Sequence, residues 1–257
     1  MNSPITRCCK AIFPLNIDQP RFFCQVPFDL VERPVDGKIN GKEAPLTQRH
    51  ADAYGIEAEK KTGQEVPAQK WVDVTDGNSG IALLNRTKYG HALHNGELSL
   101  TLMRSAGEPD IYPNLGKFSI SYSLFPHSGD WTNGVWAEGD RFNVPVFAAE
   151  PPSLALGKNH ATLPDEMSFL SLEAPGVIFS GMKKSEDGNE LIIRLAETEG
   201  KETPVIIHLP VNAVSARRLN LIEMPLQNAT GPEVNGKTVR VKIRPHEIVT
   251  IGISVRQ

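Results

Sequence analysis

The segment Pro126–Trp131 groups three side chains that could bind a small polar ligand. His127, Asp130 and Trp131 supply an imidazole, a carboxylate and an indole directly after a predicted strand. Loop residues at strand ends often form binding sites, and an indole can cover the apolar face of a pyranose while polar groups bind its hydroxyls. In the alternative, structural interpretation, His127 and Asp130 hold the corner of the chain and Trp131 fills the core.

Arg104 is a second candidate, because it places a cation at the end of the predicted strand that includes residues 100–103. It could reach a ligand from the rim of a site. It could equally pair with Asp110, six residues further on, and brace a turn. Such a pair has little energetic weight when exposed. From the residue types alone, the ion pair is the favoured interpretation.

Other chemistries find no support in the spacing of the residues. The chain contains no GxGxxG or GxxxxGK[ST] phosphate loop, and Gly77–Gly80 lacks the GxSxG spacing of a serine hydrolase. His91 and His94 would share a metal only on a helix, and the glycines around them predict a loop. A retaining glycosidase needs two carboxylates about 5 to 5.5 Å apart, and no such pair is evident.

The elements that must position these residues are mostly strands. Phe118, Ile120, Tyr122 and Leu124 alternate with serines, which predicts a strand over 118–125 with these four side chains on its buried face. A helix carrying Val135, Trp136 and Phe142 is predicted between residues 130 and 147, capped by Asp130 or Thr132. Further strands are predicted at 71–74, 80–84, 97–103, 169–172, 176–182, 190–196, 204–209, 216–222, 238–243 and 248–255. The pattern predicts a mainly β fold, a large antiparallel β-sandwich with little helix.

Composition narrows the class of protein. The chain has 257 residues, a formal net charge of −3 and no strongly basic stretch, so neither nucleic acid nor a membrane is expected as a partner. Its three cysteines lie in the first tenth of the sequence and match no disulfide or zinc spacing. Without a signal-like N-terminus or an apolar run of 18 residues, we expect a cytoplasmic protein with free thiols.

Several stretches, read in order, resemble the C-terminal region of glycoside hydrolase family 38 α-mannosidases of the longer cytosolic and bacterial type. They lie at residues 13–16, 31–34, 71–85, 88–90, 98–105, 118–131, 216–223 and 246–250, so that the resemblance extends over nearly the whole chain. The resemblance implies a sandwich of the galactose-mutarotase-like supersandwich type. It divides the chain into the tail of a preceding β-region (1–35), an exposed loop or insertion (36–70) and the family's C-terminal β-sandwich domain (71–257). The last strands, from about residue 200, would form a small terminal subdomain.

Enzymes of that family are retaining, exo-acting α-mannosidases whose zinc ion and aspartate nucleophile lie in an N-terminal α/β barrel. No position of this sequence matches the zinc ligands or the nucleophile, so we assign no catalytic or metal-binding residue and no cofactor to this chain. Zinc is expected in the barrel, in the same polypeptide or in a separate chain. The β-region lends residues to the rim of the substrate pocket, where an α-mannoside or oligosaccharide binds. The candidates for that rim are Arg104 first, then Tyr89, Asp110, His127, Asp130 and Trp131.

Two hypotheses follow from the resemblance. In the first, the chain is the C-terminal part of an α-mannosidase that supports the catalytic barrel and is inactive alone. An exposed apolar face where the barrel docks would then be expected. In the second, it is a free-standing carbohydrate-binding or structural β-sandwich derived from a glycosidase.

Overall fold

A computed structural model describes residues 7–35, 38–39, 42–43, 65–105, 116–149, 164–227 and 229–256. The chain divides into two compact units, Met1–Val146 and Phe147–Gln257. The boundaries predicted near residues 35, 70 and 200 remain a prediction. Every strand pairing is antiparallel, and the described residues contain one α-helix. The predicted mainly β fold with little helix is therefore confirmed.

The first unit is built from two main sheets and a helix. Its elements are β1 (Arg7–Pro14), β2 (Arg21–Val26), β3 (Asp29–Arg33), β4 (Lys38–Ile39), β5 (Lys42–Glu43), β6 (Val66–Pro67), β7 (Trp71–Thr75), β8 (Ser79–Asn85), β9 (Gly90–His94), β10 (Glu97–Ser105), β11 (Tyr122–Ser128) and α1 (Val135–Asn143). One sheet has the strand order β1-β10-β9-β6 and the other β11-β8-β7-β2-β3, while β4 and β5 pair with each other. Part of the segment predicted as a long loop is thus strand, and residues 36–37, 40–41 and 44–64 lie outside the described part.

The five-stranded sheet of this unit is covered on both faces. On one face, Phe22, Val74 and Leu83 pack with Leu98 and Leu100 of the four-stranded sheet. On the other face, a second cluster joins Phe23, Trp71, Ala82, Leu84 and Phe125 with side chains of α1 and with Trp131. Because the sheet is covered on both sides, all five residues of β7 and the last four of β8 are buried, and apolar side chains such as Trp71 and Val72 point to opposite faces.

The predicted helix is confirmed, but its predicted cap is wrong. Helix α1 begins after Gly134, whose left-handed φ of 91° only glycine adopts readily, and no side chain caps it. Asp130 instead accepts hydrogen bonds from the backbone N–H and the hydroxyl of Thr132. The helix packs closely on the sheet, since a Cβ added at Gly139 would lie 2.6 Å from Cδ1 of Trp71.

The strand predicted at 118–125 begins later and buries its other face. The observed β11 spans Tyr122–Ser128, and its half-buried side chains are Ser123, Phe125 and His127. Tyr122 and Leu124 stay about 40% exposed. β11 is the edge strand of its sheet, and helix α1 covers the face that carries Phe125. The alternation correctly indicated a strand, but it identified the wrong face as buried.

The second unit is a sandwich of two four-stranded sheets. Its strands are β12 (Ser171–Glu173), β13 (Val177–Lys184), β14 (Leu191–Glu197), β15 (Thr203–His208), β16 (Ala213–Leu219), β17 (Glu233–Asn235), β18 (Thr238–Ile243) and β19 (Ile248–Val255). The sheets run β12-β15-β18-β17 and β13-β14-β19-β16 around an aliphatic core. Strand β18 shows the expected alternation, because Val239, Val241 and Ile243 are buried while Arg240 and Lys242 are exposed.

Candidate functional site

The structure separates the predicted site residues into two groups. Tyr89, in the loop between β8 and β9, and Arg104, near the end of β10, line one cavity of the first unit. His127, Asp130 and Trp131 lie at the end of β11 and in the turn before α1. Asp110 lies outside the described residues. The two members of the first group, fifteen positions apart in sequence, are thus brought to one site by the fold.

The cavity that contains Tyr89 and Arg104 has a volume of about 280 Å³. This lies just below the range of about 300 to 1,000 Å³ that is typical of sites for drug-sized ligands, so its size suits one or two sugar rings rather than a long chain. Two aromatic rings flank it, Tyr89 with 55% and Phe118 with 49% of its surface exposed. Its lining consists of Lys88, Tyr89, Gly90, Thr101, Leu102, Met103, Arg104 and Phe118.

The cavity forms where strand pairing becomes irregular. The pairing of β9 with β10 ends at His91 and Leu100, so the two strands lose their common ladder at the cavity. On the other side of β10, Cys9 pairs with Met103 and Lys10 with Thr101, which leaves Leu102 as an extra residue in a bulge. A bulge changes the direction of the side chains around it. The bulge in β10 therefore explains why the four consecutive residues 101–104 all line the cavity.

A charged row crosses the sheet beside the cavity. The Glu65 carboxylate accepts hydrogen bonds from the Thr101 hydroxyl and, at 3.1 Å, from the Lys10 ammonium. Glu65 reaches them across Gly90, where an added Cβ would lie 2.4 Å from its Oε1. Partial burial raises the pKa of Glu65, but the bonds from Thr101 and Lys10 and the charges of Lys10 and Arg104 outweigh it and lower that pKa. Glu65 therefore stays ionised.

Buried polar groups hold the loop that carries Lys88 and Tyr89. The fully buried Asn85 donates from Nδ2 to the carbonyl of Gln69 at 2.7 Å, and its Oδ1 accepts from the backbone N–H of Lys88 at 3.0 Å. His91 lies 3.3 Å from the same Nδ2, and burial lowers its pKa to about 4. His91 is thus neutral and structural. The described residues hold no group of three or more metal-ligating side chains.

The second group centres on a buried ion pair between His127 and Asp73. Nε2 of His127 donates to Oδ1 of Asp73 at 2.8 Å, and the side chains are 3% and 0% exposed. The His127 side chain passes over Gly80 to reach Asp73. A Cβ atom added at Gly80 would lie 2.4 Å from the imidazole Cε1. The bond to Asp73 raises the pKa of His127, and burial raises the pKa of Asp73. The pair therefore keeps its proton to a higher pH than either side chain would in water.

Asp130 and Trp131 continue this group into the turn before α1. Burial raises the pKa of Asp130, but its hydrogen bonds from Thr132 and the charges of Arg21 and His127 outweigh burial and lower that pKa. The indole of Trp131 stacks on Trp71 with ring centroids 6.5 Å apart. These contacts match the structural interpretation of the segment.

Sequence reasoning missed several residues around the cavity. Lys88, Thr101 and Phe118 line it, and Glu65 and Lys10 form the charged row beside it. The available signal was Gly90 at the start of a strand, because a glycine within a strand indicates close approach of another group. That signal does not say which side chain approaches.

Comparison with known proteins identifies the protein family whose models match the two units. The family model described as "Glycosyl hydrolases family 38 C-terminal domain" matches residues 6–112. The model described as "Glycosyl hydrolases family 38 C-terminal beta sandwich domain" matches residues 176–251. The chain belongs to the C-terminal region of glycosyl hydrolase family 38. The resemblance seen in the sequence is thereby confirmed. Both candidate groups lie in the first unit, which contains the whole of the first match.

Individual relatives agree with this placement. The chain is 30% identical over 190 residues to Alpha-mannosidase G of Dictyostelium discoideum, which covers 72% of this chain and 17% of that protein. It is 31% identical over 165 residues to Alpha-mannosidase 2C1 of Homo sapiens, or 63% of this chain and 15% of that protein. The chain thus spans less than a fifth of the length of these relatives.

A solved structure shows the same fold. An α-mannosidase from Enterococcus faecalis V583 superposes with a TM-score of 0.68 at 19% identity, over 95% of this chain and 25% of that one. At this identity the likeness concerns the fold alone. Within the described part of the chain, no helix has the length and apolar character needed to cross a membrane.

Proposed function

We propose that this chain is the C-terminal β-region of an α-mannosidase that hydrolyses terminal α-D-mannosides in oligosaccharide catabolism, and that it forms one wall of the substrate pocket. The observation that carries the proposal is that Tyr89 and Arg104, both singled out by the family resemblance, line a single cavity. Family membership supports the mannoside as substrate.

The cavity offers the contacts that a sugar requires. The exposed rings of Tyr89 and Phe118 can cover the apolar C–H face of a pyranose. Arg104 and Lys88 can donate hydrogen bonds to ring substituents, and the hydroxyl of Thr101 lies in the same lining. His127, Asp130 and Trp131 rank behind these residues, because His127 and Asp130 already form hydrogen bonds within the corner and the indole of Trp131 stacks on Trp71.

In this proposal the chemical step belongs to a different part of the enzyme. The described residues hold no group of side chains that fits a metal ion. The nucleophile, the acid/base carboxylate and the zinc are assigned to an N-terminal barrel, in the same polypeptide or as a separate chain. This chain alone should bind a mannoside and not cleave it. The three free thiols are consistent with a cytoplasmic location.

An exposed apolar segment supports a large protein partner for the second unit. Leu221, Ile222, Met224 and Leu226 follow β16 and are 60, 79, 58 and 46% exposed. Contiguous exposed apolar side chains of this kind often mark interaction surfaces. A catalytic barrel that covers the segment is the occupant that the first hypothesis expects.

The test is release of p-nitrophenol from the p-nitrophenyl α-mannoside in the presence of zinc. We would assay this chain alone, a catalytic barrel piece of a family 38 enzyme alone, and their mixture. Activity in the mixture above that of the barrel piece supports the proposal. The variant Arg104→Ala should then lower activity, whereas Arg240→Ala, an exposed arginine of the other unit, should not.

Other results point elsewhere. If the mixture is no more active than the barrel piece and the chain still binds methyl α-mannoside, the free-standing binding module is the better account. Hydrolysis by this chain alone would overturn the proposal, because the chain would then need a carboxylate pair of its own.

A further inference from the structure

Asn85, the last residue of β8, is the centre of a buried hydrogen-bond network in the first unit. It is fully buried, and each of its hydrogen-bonding groups has a partner. Its backbone N–H donates to the carbonyl of Lys70 at 2.9 Å, and its carbonyl accepts from Nδ2 of Asn143 at 3.0 Å. Its Nδ2 donates to the carbonyl of Gln69 at 2.7 Å, and its Oδ1 accepts from the backbone N–H of Lys88 at 3.0 Å. Asn85 thereby joins the segment before β7 and the end of α1 to the loop that follows β8.

His91 of β9 takes the second hydrogen of the Asn85 amide. A side-chain amide carries two hydrogens, and Gln69 binds one of them. Nε2 of His91 lies 3.3 Å from Nδ2 of Asn85, and the imidazole is fully buried. Burial lowers the pKa of His91 to about 4, so the ring is neutral at pH 7 and its Nε2 can accept. The network therefore needs an amide donor on β8 and an acceptor on β9.

The network fixes the backbone that carries Tyr89. Residues 86–89 join β8 to β9, and Asn85 binds this loop at the N–H of Lys88. The carbonyl of Tyr89 accepts from the N–H of Ala68 at 3.0 Å, so the loop is held on both sides of the Tyr89 Cα. Tyr89 is 55% exposed, and the position of its ring therefore depends more on this backbone than on packing. Neither Asn85 nor His91 is among the residues that line the cavity, so their effect on a ligand would pass through the loop.

We propose that Asn85 and His91 are positioning residues of the mannoside site, which hold Tyr89 where its ring covers the sugar. The inference rests on the proposed function, which supplies the mannoside. Closing a loop of this kind does not itself require two buried polar side chains, and burying such groups is costly unless each is paired. A binding residue gains from this support, because a ring already held in its bound position loses less freedom when the ligand arrives.

The test is the dissociation constant of methyl α-mannoside, measured from amide chemical shifts of the full isotope-labelled chain. His91→Leu removes the acceptor for Asn85 and should raise the Kd about tenfold, which is about 1.4 kcal/mol of binding free energy. His91→Gln places an amide oxygen within reach of Nδ2 and should keep the Kd within about twofold of the wild type. Amide hydrogen exchange at Lys88 should be faster in His91→Leu and close to the wild-type rate in His91→Gln.

Asn85→Asp is an independent variant at the centre of the network. Its carboxylate keeps an acceptor for the N–H of Lys88 but has no hydrogens for the two acceptors around it. It should also raise the Kd about tenfold. Thr75→Val is the matched control, because Thr75 is likewise fully buried and donates from its hydroxyl to the carbonyl of Gly129 at 2.7 Å, at the opposite end of the β7–β8 pair. It should lower the stability and leave the Kd unchanged.

Urea denaturation followed by tryptophan fluorescence establishes that each variant is folded under the titration conditions. Wild-type affinity in folded His91→Leu and Asn85→Asp would give these residues a purely structural role and refute the inference, while the mannoside site would stand. An equal rise of the Kd in Thr75→Val would refute it as well, because the effect would then follow from lost stability. No binding of methyl α-mannoside by the wild type would contradict both proposals. Because the two variants lie at different positions, misfolding of one leaves the other as a test.

Discussion

Replacing His127 by alanine tests the energetic reasoning about the buried ion pair. The substitution leaves the carboxylate of Asp73 buried, 0% exposed, without the imidazole 2.8 Å away. Breaking a buried pair by removing one partner costs about 3 to 5 kcal/mol. We expect about 3 kcal/mol for His127→Ala at pH 7, because Asp73 can relieve part of the penalty by taking up a proton. Burial already raises its pKa.

Urea denaturation followed by tryptophan fluorescence measures this effect. The three tryptophans of the chain, Trp71, Trp131 and Trp136, all lie in the first unit, so their emission reports on that unit alone. For an m value of about 2 kcal/mol/M, a loss of about 3 kcal/mol lowers the urea midpoint by about 1.5 M. The m value itself should stay the same.

The exposed pair of His208 and Glu173 is the matched control. Its two side chains lie 2.7 Å apart but are 40 and 66% exposed. Exposed pairs contribute about 0.2 to 1 kcal/mol, so His208→Ala should change the stability of the second unit, followed by circular dichroism, by less than about 1 kcal/mol. Equal losses in the two variants, or a loss below about 1 kcal/mol for His127→Ala, would refute the argument that burial decides the energy.

Three further predictions concern the same unit. Because folding raises the pKa of His127, its imidazolium stabilises the fold below about pH 6.5, and this contribution is lost as the pH rises through the folded-state pKa. The stability advantage of the wild type over His127→Gln, measured in urea, should therefore shrink between pH 6 and pH 9. Burial raises the pKa of the Cys24 thiol to about 12, so Ellman's reagent should titrate the two exposed cysteines in the native chain and all three in denaturant. Gly139→Ala should lower the free energy of unfolding, measured by urea denaturation, by at least about 1 kcal/mol, although alanine favours helix, because the methyl group would overlap the buried Trp71.

The fold class and most strands could be predicted because their signals are local. In β18, valine and isoleucine alternate with charged residues, and the observed bounds equal the predicted ones. In β11 the same kind of signal identified the wrong face, since alternation shows that a strand has two different faces. It does not show which face a helix will cover. That choice depends on α1, whose contacts with Phe125 are tertiary.

The candidate site could be predicted only in part for a related reason. Tyr89 and Arg104 came from the family resemblance, and the fold places them together. Glu65 could not be found, because its role depends on crossing Gly90 to reach a neighbouring strand. The second unit contains a similar arrangement, in which the Glu190 side chain lies over Gly252 and forms an ion pair with Arg217. A glycine in a strand marks such a crossing, but its partner is known only once the strands are in register.

The central claim, that the cavity of Tyr89 and Arg104 is where this chain meets a mannoside, is tested most directly by amide chemical shifts. Methyl α-mannoside would be titrated into the isotope-labelled chain. The account predicts shifts concentrated at residues 88–90 and 101–104, and their loss in Tyr89→Ala. Shifts concentrated instead at Asp130 and Trp131, or no shifts anywhere in the chain, would contradict it.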